Sequence, residues 1–190
     1  MKIAVLGGGT TGFIAAAHIT KSMPDAELLH VFDSRIPTIG VGEGTTPRFP
    51  AWLEETTGLV FADLAERCGA TLKRGTRFDG WGPDGAPFLN RFHPTRLIGY
   101  HFDAADVVGV IGEHVRARRI DARVQEVRSH ADHALVRLAD GTAHRCDYVI
   151  DALGFPKPDN GHRHAAETFI ALDWVPTGRA ILRWLTPGGH

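Results

Sequence analysis

The first 33 residues constrain the fold more strongly than any other part of the chain. Residues 3–6 predict a short buried strand, residues 13–19 a helix, and residues 28–32 a second apolar strand. The turn between the first strand and the helix carries the pattern G-x-G-x-x-G, formed by Gly7, Gly9 and Gly12. This order is that of a βαβ dinucleotide-binding unit, in which a pyrophosphate lies at the helix N-terminus.

Each residue of this turn has an expected task at the cofactor. Gly7 permits the tight turn, Gly9 lets the backbone approach a phosphate, and Gly12 lets helix and strand pack closely. Thr10 and Thr11 lie between these glycines and belong to the same predicted phosphate-binding turn. The alternative, a glycine-rich turn without a ligand, is disfavoured by the complete order of elements.

Asp33 completes the unit at the end of the second strand. It falls 21 residues after Gly12, where an acceptor for a ribose 2′-hydroxyl is expected. We therefore predict that Asp33 contacts the cofactor.

Composition restricts the classes of partner that the chain can bind and the compartment in which it is expected. The 190 residues include 21 basic and 22 acidic side chains with a net charge of −1, so neither nucleic acid nor an anionic membrane is expected as a partner. No apolar stretch reaches membrane-spanning length. The two cysteines lack metal-binding spacing, the eleven histidines are expected at the surface, and no metal site is predicted. A cytoplasmic location with reduced thiols follows as an expectation.

A loop rich in glycine and threonine follows the second strand. Within it Gly40 and Gly42 alternate with Val41 and Glu43, so the loop can press against a flat ligand while exposing backbone amides. We expect the carboxylate of Glu43 to organise the loop, the alternative being a solvated carboxylate.

The middle of the chain predicts three helices and a strand. The expected helices are residues 49–57, 62–68 and 104–119, and the expected strand is residues 72–79. Asp103 is a candidate N-cap of the last helix, and Arg116, Arg118 and Arg119 are expected in its solvated C-terminal turn.

The last third predicts an antiparallel meander and a returning strand. Residues 121–128 and 134–138 alternate in polarity, with Val124 and Val127 at inward positions, and a hairpin turn is expected at Asp140-Gly141. Residues 148–154 then predict a buried parallel strand that ends in a glycine turn. The fold predicted is α/β and Rossmann-like, a central parallel sheet with an inserted β-meander at about residues 120–146.

This arrangement favours FAD over NAD. Rossmann dehydrogenases continue with repeated βα units, whereas an inserted meander is typical of FAD proteins with two dinucleotide-binding domains. We expect FAD at the C-terminal ends of the strands, with the backbone near Val124 and Gly154 among its contacts. An ordinary core valine is the equally open alternative at Val124.

Several motifs in order resemble the flavin-dependent tryptophan halogenase family. They are Gly7-Gly-Gly-Thr-Thr-Gly12, Ile39-Gly-Val-Gly-Glu-Gly-Thr-Thr-Pro47, Ala70-Thr-Leu-Lys73, Arg77-Phe78, Trp81-Gly82, Tyr100-His-Phe-Asp103 and Asp147-x-x-x-x-x-x-Gly154-Phe155.

The resemblance implies a specific chemistry. Such enzymes receive reduced FAD from a separate reductase and use oxygen and halide to form hypohalous acid, which travels to a lysine beside a small aromatic substrate. Lys73 matches that lysine, and residues 38–45 resemble the strap that covers the flavin and communicates with the halide site. Lys73 and Glu43 are thus the candidate catalytic residues. On an ordinary strand, Lys73 would be a surface lysine.

The chain also departs from the family. The Trp-x-Trp-x-Ile-Pro signature and a late Gly-Asp segment are absent, so residues 1–155 are expected to form the FAD-binding domain and residues 156–190 the start of an incomplete substrate region. Residues 170–184 are too apolar to be left in water, so homo-oligomerisation is a further expectation. Two alternatives to the halogenase stay open: a non-catalytic FAD-binding or interaction module, and another FAD-dependent oxygenase in which Lys73 is incidental.

Overall fold

The first βαβ unit forms as the sequence predicts. The computed structural model describes residues 1–38, 42–92 and 98–154, and the backbone alone of residues 169–175 and 179–185. The unit comprises β1 (Lys2–Leu6), α1 (Thr10–Ser22) and β2 (Glu27–Phe32). Both strands are buried along nearly their whole length, which explains their continuous apolar runs.

The following elements lie between β2 and the end of the chain. Continuing in order, they are β3 (Gly42–Gly44), α2 (Arg48–Thr57), α3 (Phe61–Cys68), β4 (Thr71–Lys73), β5 (Gly75–Phe78), β6 (Phe88–Arg91), β7 (Gly99–Asp103), α4 (Ala104–Gly112), β8 (Arg118–Asp121), β9 (Val124–Ser129), β10 (Ala134–Leu138), β11 (Ala143–Cys146), β12 (Tyr148–Asp151), β13 (Phe169–Val175) and β14 (Arg179–Leu185). None of the helices in the described part of the chain is long and apolar enough to cross a membrane.

The central sheet is parallel, with the strand order β12-β1-β2-β8. The meander is the antiparallel sheet β11-β10-β9, inserted between β8 and the returning strand β12. The predicted fold class is therefore confirmed, but β12, which was expected to be buried, is largely exposed, with Tyr148 63% exposed. Parallel neighbours bring the ends of β1, β2 and β12 to one edge of the sheet, where the glycine turn lies.

Three smaller sheets complete the described topology. The first has the order β3-β7-β4, the second pairs β5 with β6, and the third pairs β13 with β14. The side chains of residues 170–184 lie outside the described residues, so the prediction about their apolar surface stays a prediction.

Two clusters of buried side chains hold these layers together. The larger one packs α1, α2, α3 and α4 with one face of the central sheet and with Tyr100 and Phe102 of β7. The smaller one packs the other face of the central sheet against the meander, through Leu29, Val136 and Leu138. At about 25 cal/mol per Å² of apolar area, such burial is the main favourable contribution to folding.

The helix predicted at residues 104–119 ends early, at Gly112. The expectation for the three arginines was therefore wrong: Arg116 follows the helix, and Arg118 and Arg119 lie in β8, which pairs with β2. The predicted N-cap is confirmed, because the carboxylate of Asp103 accepts hydrogen bonds from the N–H groups of Ala105 and Asp106.

Two strand predictions also need correction. The strand expected at residues 72–79 is divided between β4 and β5, which lie in different sheets. A Cβ atom on Gly75 would lie 2.6 Å from the carbonyl oxygen of Asn90, so the chain switches sheets at a close backbone contact. Val127 shares the inward face with its partner, the buried Val136, as expected, but its side chain is 38% exposed rather than buried.

Candidate functional site

The glycine turn after β1 is held by contacts that exclude side chains. Gly7 has a φ of +119°, and a Cβ atom there would lie 2.2 Å from the carbonyl oxygen of Ala152 at the end of β12. A Cβ atom on Gly12 would lie 2.1 Å from the carbonyl oxygen of Gly7. Gly7 and Gly12 therefore serve the shape of the turn and the packing of α1.

His30 lies beneath this turn, and its burial corrects the expectation that the histidines lie at the surface. Its side chain is fully buried in β2, and its Nε2 lies 2.8 Å from the carbonyl oxygen of Gly7. Burial lowers the pKa of His30, so the imidazole is neutral and Nε2–H donates this hydrogen bond. Phe13 and Phe32 pack against its ring. In the sequence, only the presence of a histidine within an apolar strand could have indicated this contact.

The ligand side of the turn is open. A Cβ atom on Gly9 would meet no described atom within 4 Å, and Gly9 is the N-cap of α1. No acidic side chain lies in the first helical turn, so the positive end of the helix dipole is not neutralised locally. The hydroxyl of Thr10 is buried and has no hydrogen-bond partner among the described residues. An anion placed beside Gly9 would accept hydrogen bonds from the N–H groups of the first helical turn, that of Thr11 among them.

Asp33 lies at the expected end of β2, but it is already paired. Its Oδ1 accepts hydrogen bonds from Arg35 Nε at 2.8 Å and the Arg35 N–H at 3.1 Å, and its Oδ2 accepts one from Nη2 at 2.8 Å. The hydrogen bond from the Arg35 guanidinium holds the pKa of Asp33 below its usual value. A ribose hydroxyl can still donate to a free lone pair of this ionised carboxylate. The sequence pattern indicated the acid but not its partner.

Two further predicted contacts lie at the same edge of the molecule. Val124 begins β9, which is an edge strand of the described meander, and its side chain packs partly against the smaller core cluster. Gly154 follows β12 with a φ of +91°, and a Cβ atom there would meet no described atom within 4 Å. Their contacts with a cofactor remain predictions, while the positive φ explains why glycine stands at position 154.

The sheet β3-β7-β4 brings the strap and the predicted lysine together. β3 contributes Gly42, Glu43 and Gly44, and β4 contributes Lys73. Both strands pair with β7, Gly44 with His101 and Lys73 with Gly99. Segments separated by almost thirty residues thus become neighbours. Gly40 and Val41, the other predicted strap contacts, lie outside the described residues, as do Ile39 and Phe155.

Lys73 sits in a half-buried environment. Its Nζ lies 5.7 Å from the centroid of the Phe92 ring, within range of a cation–π contact. Desolvation lowers the pKa of Lys73 below its ordinary value, which favours the neutral amine. The site therefore holds a lysine whose pKa is lowered, with its Nζ 3.0 Å from the position that a Cβ atom on Gly44 would take.

Glu43 does not share the face of Lys73. It pairs with Phe102, so its side chain lies on the side of the sheet that carries the buried Tyr100 and Phe102. Lys73 and His101 lie on the opposite face, with Gly44. Glu43 therefore projects away from Lys73, and its role in organising the strap stays a prediction.

Comparison with known proteins gives a consistent result. The profile of the tryptophan halogenase family matches residues 2–98. The chain is 32% identical over 114 residues to tryptophan 7-halogenase RebH of Lentzea aerocolonigenes, covering 53% of this chain and 21% of that protein. It is 35% identical over 103 residues to 7-chloro-L-tryptophan 6-halogenase KtzR of a Kutzneria species, covering 54% of this chain and 20% of that protein.

Solved structures share the fold. A flavin-dependent halogenase from Xanthomonas campestris superposes with a TM-score of 0.69 at 22% identity, covering 81% of this chain and 42% of that one. A tryptophan halogenase from Shewanella frigidimarina superposes with a TM-score of 0.68 at 20% identity, also covering 81% and 42%. The chain spans about a fifth of the length of the curated relatives named above.

Proposed function

This chain belongs to the tryptophan halogenase family, and we propose on that basis that it binds FAD and halogenates a small aromatic substrate with reduced FAD, oxygen and halide. The relatives named above are tryptophan halogenases, and one solved neighbour is a flavin-dependent halogenase. A separate flavin reductase is the proposed source of reduced FAD. A cytoplasmic location is part of the proposal, since Cys68 and Cys146 are both free thiols.

The observation that carries this proposal is the sheet β3-β7-β4. It sets the glycine strand of the strap two strands away from Lys73, with only β7 between them. A flat ligand under the strap and a lysine that receives an oxidised halogen need this proximity. Without it, the sequence match at Lys73 would describe an ordinary lysine on a strand.

The residues present fit FAD at the glycine turn. A Cβ atom on Gly9 would meet no described atom where a phosphate would approach, the Thr10 hydroxyl has no hydrogen-bond partner among the described residues, and α1 presents its N-terminus. Asp33 offers carboxylate lone pairs for a ribose hydroxyl. We assign Gly7 and Gly12 to shaping this site. We propose further backbone contacts from Gly42 in the strap, from Val124 at the start of β9 and from Gly154 after β12.

The flavin, when bound and reduced, supplies the oxygen chemistry that converts halide into hypohalous acid. The chain's own part is to hold the cofactor and to present Lys73. An ammonium at Lys73 can donate a hydrogen bond to hypohalous acid, and a neutral amine can be halogenated by it. Desolvation lowers the pKa of Lys73, which is the direction that favours the second state.

Product analysis of lysine variants tests this function. Wild type, Lys73→Ala and Lys73→Arg are incubated with reduced FAD, oxygen, halide and a panel of indoles, phenols and pyrroles, and products are identified by mass spectrometry. We expect a halogenated product from wild type alone, with flavin binding intact in all three, because the lysine acts after the oxidant has formed. Arginine should fail because a guanidinium cannot become neutral or occupy the place of a compact ammonium.

Two outcomes would contradict the proposal. Halogenation that survives Lys73→Ala would remove this residue from the mechanism. Confirmed FAD binding with no product across the panel would indicate a non-catalytic flavin-binding module.

A further inference from the structure

One face of the sheet β3-β7-β4 collects two nitrogen groups around a glycine. Cross-strand partners project to the same side, so Gly44, His101 and Thr71 share a face, and Lys73 and Gly99 share it with them. Gly42, Gly44 and Gly99 are the positions on this face that carry no side chain. The face is opposite to the one that Tyr100 and Phe102 bury in the core.

The absence of a side chain at Gly44 lets His101 and Lys73 approach each other. A Cβ atom on Gly44 would lie 3.0 Å from His101 Nδ1 and 3.0 Å from Lys73 Nζ. The two nitrogens are therefore at most twice that distance apart. The Nδ1 atom of His101 is buried and accepts no hydrogen bond from any residue that the structure describes.

We propose that His101 is the positioning residue for Lys73: its unprotonated Nδ1 accepts a hydrogen bond from the lysine ammonium, directly after a small side-chain rotation or through one bridging water. The proposal deepens the proposed function, on which its chemical consequence rests. For Nδ1 to act as acceptor, the ring proton resides on Nε2. Electrostatics agree with a neutral ring, because burial and then the nearby Lys73 cation lower the pKa of His101.

Transfer of the halogen through the Lys73 nitrogen requires a proton acceptor. An ammonium has no lone pair, so it must give one proton to His101 before nitrogen can attack hypohalous acid. The attack forms the N–halogen bond and breaks the O–halogen bond. The hydroxide that leaves takes a second proton from the nitrogen and is released as water. When the halogen passes to the aromatic carbon, the ring proton returns to the amine, and His101 gives back the proton that restores the ammonium.

The other ionisable group on this face is already engaged. Asp103, two residues beyond His101 in β7, caps α4 through hydrogen bonds to the N–H groups of Ala105 and Asp106. Glu43 projects to the opposite face with Phe102. Among the described side chains on these three strands, His101 is thus the group placed to exchange a proton with Lys73.

The test is NMR titration of the chain labelled with ¹³C at the lysine ε-carbons. The sequence contains four lysines, Lys2, Lys21, Lys73 and Lys157, and Lys73→Met assigns the resonance of interest. Removing the acceptor nitrogen in His101→Phe should lower the pKa of Lys73 below its wild-type value. His101→Asn, which restores an acceptor oxygen, should return it toward wild type, and Thr71→Val, a neighbour on the same face, should leave it unchanged.

If His101→Phe does not fold, the pKa of His101 in Lys73→Met tests the same pairing. In Lys73→Met, the pKa of His101 should rise toward its ordinary value, because the neighbouring cation is gone. An unchanged Lys73 pKa in folded His101→Phe, or an unchanged His101 pKa in Lys73→Met, would overturn the pairing.

The titration is independent of halogenation. Coupled pKa values without any halogenated product would uphold the pair and refute the proposed function. A halogenating chain without coupling would overturn the pair alone. In a halogenating chain, His101→Phe should also lower the rate on the order of 10²-fold with FAD affinity unchanged.

Discussion

Replacing Gly9 by alanine should weaken FAD binding without disturbing the fold. Gly9 has a φ of −84° and a ψ of −178°, an extended conformation that alanine adopts readily, and a methyl group there meets no described atom within 4 Å. The methyl would instead occupy the space in which the cofactor phosphate approaches the backbone.

The expected magnitudes follow from these contacts. Without strain or a clash, Gly9→Ala should change the free energy of unfolding by no more than about 0.5 kcal/mol. Displacing a phosphate from charge-assisted hydrogen bonds should cost about 2 kcal/mol of binding, roughly a thirtyfold rise in Kd.

The neighbouring glycines supply matched controls. Gly12→Ala would place a methyl 2.1 Å from the Gly7 carbonyl oxygen, and Gly7→Ala would combine a 2.2 Å contact with a φ of +119°. Each should lower the free energy of unfolding by about 2–4 kcal/mol, through overpacking and backbone strain. In a chain of this length, that is a fall in Tm of roughly 4–16 °C.

Thermal unfolding without ligand and calorimetric titration with FAD should be measured on all three variants. The reasoning is refuted if Gly9→Ala binds FAD as tightly as wild type. It is equally refuted if Gly9→Ala loses as much stability as the other two, since the position would then serve the fold rather than the ligand.

Three further predictions concern single side chains. Asp33→Asn should weaken FAD binding about tenfold by calorimetry, because a neutral amide oxygen is a poorer acceptor for the ribose hydroxyl; unchanged affinity would mean that Arg35 fully occupies the carboxylate. His30 has a folded-state pKa below its ordinary value of 6.5, so the unfolded chain binds the proton more readily and stability should fall as the pH drops below 6.5. Urea unfolding should show that acidification lowers the free energy of unfolding less in His30→Phe than in wild type. Equal decreases in the two proteins would exclude His30 as the cause of this pH dependence. The pKa of the buried Cys68 is raised to about 11, mainly by desolvation, so mass spectrometry should detect alkylation of this thiol by iodoacetamide at neutral pH only after denaturant is added.

The parts of the fold that the sequence predicted depend on local rules. A strand, three glycines and a helix define the first βαβ unit, Asp103 caps α4, and Gly141 takes the positive φ of a hairpin turn at +85°. Each of these needs only neighbouring residues. The early end of α4 was missed because the polar residues after Gly112 are compatible with a helix, while pairing with β2 draws Arg118 and Arg119 into β8.

The parts of the site that could not be predicted depend on partners distant in sequence. His30 contacts a carbonyl 23 residues away, and its side chain by itself indicates no such contact. His101 became a candidate only when β7 was placed between the strap and β4. Arg35 lies two residues from Asp33, yet nothing in the cofactor pattern distinguishes its ion pair from a solvated arginine.

The most direct test of the central claim is a calorimetric titration of the wild-type chain with FAD and, in parallel, with NADH. The account predicts saturable binding of FAD at one site and markedly weaker binding of NADH, because an inserted meander is typical of FAD proteins and the chain belongs to the tryptophan halogenase family. Tight binding of NADH with no binding of FAD would contradict it.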